Sequence, residues 1–89
     1  MRYTQLIVRG RVQGVFFREF VWRKARELGL RGWVRNRPDG TLEIVVAGQE
    51  EKIEALAAAC RRGPLLAKVE AVERGVVEER EWDDFFIRY

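Results

Sequence analysis

The run Gly10-Arg11-Val12-Gln13-Gly14-Val15-Phe16-Phe17-Arg18 joins an alternating, β-forming segment, Thr4 to Arg9, to a segment with helical periodicity. A strand that must turn into a helix within a few residues leaves the neighbouring elements little freedom. The helix has to fold back over the sheet, and the next strand must run in the direction of the first. Such a turn also strands several backbone N–H groups at the start of the helix. Glycine lets those groups converge on one point, and the helix dipole adds partial positive charge there. Arg18 closes the turn with a planar guanidinium suited to phosphate oxygens. The local chemistry points to a small phosphate-bearing guest.

The rest of the chain fits one domain covering residues 1–89, since a chain of this length supports a single core. After the turn, Phe17, Val21, Ala25 and Leu28 recur at helical spacing over Arg18 to Leu28, and Gly29 ends that helix with Leu30 placed for the accompanying contact. Arg31 to Arg37 and Thr41 to Ala47 read as strands separated by the hairpin signal Pro38-Asp39-Gly40. A second helix runs from Gln49 to Arg62 with Ile53, Leu56, Ala57 and Cys60 as its apolar stripe, and Gly63-Pro64 stops it. Lys68 to Glu78 is a fourth strand whose alternation breaks near Ala71-Val72, which predicts a bulge. Phe85 to Arg88 reads as a short last strand with Phe85 and Ile87 inward. The order β-α-β-β-α-β plus a terminal strand is the ferredoxin-like α+β arrangement, an antiparallel sheet with both helices on one face.

What is missing narrows the chemistry. The chain has no histidine and no serine, and Asn36 is its only asparagine. A histidine acid, a serine nucleophile and a histidine metal site are therefore excluded. One cysteine, Cys60, rules out an internal disulfide and multi-cysteine metal motifs, and its place on the apolar helix face marks it as a core thiol. The net charge of +3, from 17 basic and 14 acidic residues scattered together, suits a small anion better than nucleic acid. Trp22 and Trp33 read as residues packed on the sheet rather than as base-stacking platforms. No membrane span or signal peptide is expected, and a reducing cytoplasm and a monomeric state are the defaults. Arginine greatly outnumbers lysine, which fits a thermophilic source or a GC-rich genome alike. The acidic run Glu78 to Asp84 reads as a solvated turn, not a metal site.

Alone, a glycine turn and a helix-start arginine are common features. Asn36 adds to them, because the end of the second strand must lie at the same sheet edge as the turn, with Asn36 and Val34 on the helix side. The segments Gly10 to Arg18 and Gly29-Leu-Arg-Gly-Trp-Val-Arg-Asn36, followed by Pro38-Asp-Gly-Thr-Leu-Glu43, resemble the two sequence motifs of the acylphosphatase family. The resemblance implies hydrolysis of acyl phosphates to a carboxylate and inorganic phosphate, with no metal, no cofactor and no covalent intermediate. It implies that Arg18 binds the phosphate, that the backbone of Gln13, Gly14, Val15, Phe16 and Phe17 cradles it, and that Asn36 positions the attacking water. Val21 stands where the family usually has a threonine.

The composition agrees independently. A carboxylate leaving group, with a pKa of about 4, departs without a proton donor. Three other functions of related folds fit less well. An RNA-recognition domain needs base-stacking aromatics that Arg31 to Arg37 and Thr41 to Ala47 do not supply, and a metal chaperone needs a Cys-x-x-Cys loop. An acylphosphatase-like domain acting in carbamoyl transfer is usually fused to a larger chain.

Overall fold

A computed structural model describes residues 1–89. The elements are β1 (Arg2–Arg11), α1 (Phe17–Glu27), β2 (Arg31–Asn36), β3 (Leu42–Ala47), α2 (Glu50–Arg62), β4 (Lys68–Glu78) and β5 (Phe85–Arg88). They form a two-layer α+β domain of the ferredoxin-like kind. The strands make one sheet in the order β4-β1-β3-β2-β5. β3 pairs antiparallel with both β1 and β2, so β1 and β2 point the same way with β3 between them. The expectation of a wholly antiparallel sheet holds for four strands. The fifth pairs parallel with β2, which makes the sheet mixed.

Both helices lie on one face. Phe17, Val21 and Ala25 of α1 and Ile53, Leu56, Ala57 and Cys60 of α2 join Leu6, Val8, Val34, Leu42, Ile44, Val46 and Phe85 in a single core. Burial of each large apolar side chain contributes about 1.5–3 kcal/mol, so this one layer carries most of the stabilisation. α1 ends as its sequence predicts. Leu30 N–H donates to the Ala25 carbonyl at 2.9 Å and Gly29 N–H to the Arg26 carbonyl at 3.1 Å, with Gly29 at φ 70°. That is a Schellman cap, with Leu30 turned into the core.

Two details differ from the sequence reading. The irregularity on β4 falls at Glu70, where the register jumps from Arg9–Ala71 to Gly10–Val69, a step earlier than Ala71-Val72. Its cause lies on the partner strand: a Cβ on Gly10 would collide with the carbonyl of Lys68, so only glycine permits the close approach. The tryptophans also divide. Trp33 packs with Tyr3 and Val45 on the face away from the helices, whereas Trp22 is exposed on α1 with the Arg26 guanidinium 5.1 Å from its ring. Helical spacing sets Trp22 one position after Val21, which turns it off the buried stripe.

Cys60 is fully buried, and desolvation pushes its thiol up to about 12 from an ordinary value of 9.0. The folded-state value is the raised one, so its contribution to stability is complete below pH 9 and falls away as pH rises toward 12. Urea titrations of wild type and Cys60→Ala should therefore converge in stability as pH climbs through that window. A constant difference between the two proteins would show that the thiol is not desolvated.

Candidate active site

The chain leaves β1 at Arg11 and enters α1 at Phe17, and the loop between them folds under backbone constraint. Gly14 has φ 73° with open space around its missing Cβ, so glycine is required there by conformation and not by room. Phe16, the N-cap of α1, takes the left-handed conformation with φ 62° and ψ 26°, the one non-glycine residue at positive φ. Holding such a residue there costs about 1–3 kcal/mol, and strain of this kind collects where a backbone must present a fixed shape. No backbone N–H from Gly14 to Arg18 donates a hydrogen bond within the chain, and α1 has no side-chain cap. The loop thus offers a run of unpaired donors at the positive end of a helix.

Gln13 anchors this loop through its side chain. Its Nε2 donates to the carbonyls of Arg37 at 2.8 Å and Thr41 at 3.0 Å, both flanking the β2–β3 turn. That turn is itself braced. Gly40 N–H donates to the Arg37 carbonyl at 3.1 Å, and the Asp39 carboxylate accepts from the Thr41 amide at 3.0 Å and the Thr41 hydroxyl at 2.6 Å. Those two bonds hold the Asp39 carboxyl below its ordinary value. The loop after β1 and the end of β2 are in this way tied into one unit.

Arg18 and Asn36 meet across that unit. Both line a cleft of about 230 Å³, together with Val12, Gly14, Phe16 and Phe17. The Arg18 guanidinium has no carboxylate within ion-pair distance, and its recorded partner is the Tyr89 ring, 4.6 Å from Cζ. Its charge is thus free for an anion. The Asn36 Oδ1 is buried and accepts no hydrogen bond. One cleft thus holds a cation without a carboxylate partner and a residue whose buried amide oxygen lacks a donor. Of the residues expected at the site, Gln13 and Val15 do not line the cleft: the Gln13 amide is turned to the hairpin carbonyls, and the Val15 side chain is buried in the core. Val12, Glu19 and Tyr89 also line the cleft and were not expected from the sequence. Glu19 follows from its place in the first helical turn, but Tyr89 reaches the cleft only because β5 runs beside β2.

No group of three or more His, Cys, Asp or Glu side chains converges in a way that would hold a metal ion. No helix is long and apolar enough to cross a membrane.

Comparison with known proteins agrees with this architecture. The acylphosphatase family pattern matches residues 4–87. The chain is 48% identical over 88 residues to an acylphosphatase of Methylococcus capsulatus, covering 98% of this chain and 96% of the other. It superposes on the crystal structure of acylphosphatase from Bacillus subtilis with a TM-score of 0.92 and 38% identity, over 100% of both chains. It also matches HypF of T. kodakarensis with a TM-score of 0.84 and 41% identity, there covering 98% of this chain but 12% of the other. With the pattern matched from the first strand to the last and the same fold in solved relatives, the chain belongs to the acylphosphatase family of hydrolases.

Proposed function

We propose that this chain hydrolyses the carboxyl–phosphate bond of acyl phosphates by direct attack of water, with Arg18 and the loop backbone holding the phosphoryl group and Asn36 holding the water. The observation that carries this reading is the convergence of an unpaired guanidinium, a run of unpaired N–H donors and an unused buried amide oxygen in one cleft. Each does a separate task. The N–H groups from Gly14 to Arg18 and the Arg18 fork take the phosphoryl oxygens, whose charge shifts as the bond to the leaving oxygen stretches. The Asn36 Oδ1 accepts a hydrogen bond from the water, and its Nδ2 can donate to a phosphoryl oxygen, so water and phosphorus are held in line. The new phosphorus–oxygen bond forms as the bond to the carboxylate breaks. The carboxylate leaves as the anion, and the water's proton passes to the phosphate product or to solvent. No step needs a group titrating near neutrality.

The Gln13 side chain supports this geometry without touching the reaction, since its amide is spent on the hairpin carbonyls. The uncompensated Arg18 charge also predicts that inorganic phosphate, the product, binds in the same cleft. The substrate is in this reading a free small molecule, and neither nucleic acid nor a membrane surface takes part.

Three outcomes check the reading. Inorganic phosphate should raise the melting temperature of the wild type by mass action and inhibit competitively, and Arg18→Ala should lose both effects while keeping its fold by circular dichroism. Asn36→Ala should lower kcat by roughly 100-fold or more, the scale of one oriented transition-state contact, with phosphate affinity nearly unchanged. Asn36→Asp should be worse, because a carboxylate repels the phosphoryl group. Weakened phosphate binding with kcat intact would make Asn36 a binding residue. Activity should also survive EDTA and stay nearly flat between about pH 6 and 8, since histidine, the usual group titrating there, is absent. A bell-shaped profile or inactivation by the chelator would contradict the mechanism.

A further inference from the structure

A second depression, of about 340 Å³, opens beside the cleft and is lined by Phe16, Glu19, Phe20, Arg23 and Pro64. Phe16 and Glu19 line both, so the two are continuous. The four residues before Pro64 are spaced i, i+3, i+4 and i+7, which sets them on one stripe of α1 running away from the cleft. At 1.5 Å per residue that stripe is about 10 Å long, the length of a chain of several carbons. Its floor is aromatic. Phe16 is a large apolar side chain left 70% exposed, at the residue held in the left-handed conformation. Phe20 is half-buried, braced edge-on by Phe17 with ring centroids 5.7 Å apart. Pro64, in the turn after α2, supplies the facing wall. Glu19 and Arg23 are exposed and form no ion pair, so their charged ends stand in water while their stems flank the groove.

We propose that this groove receives the acyl half of the substrate and that the chain prefers acyl phosphates with an unbranched apolar acyl group of several carbons over acetyl phosphate. The proposal rests on the hydrolytic reading above and adds the substrate class to it. Once the phosphoryl group is held by the loop, the bond to the acyl group must leave the cleft through an opening. The groove starts at the loop residue Phe16 and follows α1 toward Pro64, and Asn36 does not line it. An apolar chain lying there covers the exposed Phe16 ring and the free face of Phe20, surface that otherwise meets water. A two-carbon acyl group covers little of this surface. A longer one gains binding with each methylene, by less than in an enclosed pocket because the groove is open on one side.

The test compares acetyl, butanoyl and hexanoyl phosphate. Their leaving acids have nearly equal pKa values, so intrinsic reactivity is matched and chain length changes the buried area alone. kcat/KM should rise by roughly twofold per methylene, about sixteenfold over the four methylenes from acetyl to hexanoyl, mostly through KM. Phe20→Ala should cut kcat/KM for hexanoyl phosphate by about fivefold and leave acetyl phosphate unchanged. Pro64→Asp, which puts a charge on the opposite wall without disturbing the Phe17–Phe20 contact, should do the same and covers the case in which Phe20→Ala fails to fold. Equal kcat/KM across the series with an active enzyme would overturn the groove alone. No hydrolysis of any of the three would overturn the hydrolytic reading and the groove with it.

Discussion

The position of β3 between β1 and β2 is the constraint on which the rest depends. Because β3 pairs antiparallel with both, β1 and β2 must run in the same direction and end at the same edge of the sheet. The loop that leaves β1 and the last residue of β2 therefore lie side by side, although Arg18 and Asn36 are far apart in sequence. α1 closes the arrangement from above by carrying the chain from one strand to the other over a common core. No contact within the cleft is needed to produce this convergence. It comes from strand order.

Rigidity at that edge has a local source. The Gln13 amide bonds to carbonyls on both sides of the β2–β3 turn, and Asp39 braces the turn from within. These bonds fasten the mobile kind of segment, a glycine-containing loop, to the least mobile kind, the end of a central strand. Polar groups that the loop could have used internally are spent on the anchor, while those facing the cleft are left unused. The strained Phe16 backbone and the unpaired N–H groups are the cost of the fixed shape of this loop. Catalysis by alignment and charge, without a titrating group, is the kind of chemistry such a preorganised edge can perform.

The two faces of the sheet serve different ends. The helix side holds the main core and ends at the cleft. The other side carries the smaller cluster of Tyr3, Trp33 and Val45, covered by the segment around Trp82. Trp33 Nε1 donates to the Glu79 carboxylate at 3.0 Å, and the Arg88 guanidinium lies 4.6 Å from the Trp33 ring. The Trp33 ring is thus occupied within the chain.

Much of this was legible in the sequence because the signals were local. Apolar periodicity marked both helices, Gly29 and Gly63-Pro64 marked their ends, and Asp39-Gly40 marked the hairpin, each an effect of a few neighbouring residues on backbone conformation. Arg18 and Asn36 could be paired by the direction of strands alone. Contacts between segments distant in the chain were not legible. The parallel pairing of β5 with β2, which brings Tyr89 over Arg18, depends on which sheet edge remained open. The Gln13 bonds to the hairpin depend on a side chain meeting carbonyls 24 and 28 residues away. The register jump at Glu70 depends on how closely Gly10 approaches the neighbouring strand. The sequence by itself determined the elements, their order and the residue types at the cleft, because propensity and periodicity act within a few residues. Tertiary structure alone decided the fifth strand's direction, the anchor of the loop and the groove beside it, because those arise where packed surfaces meet.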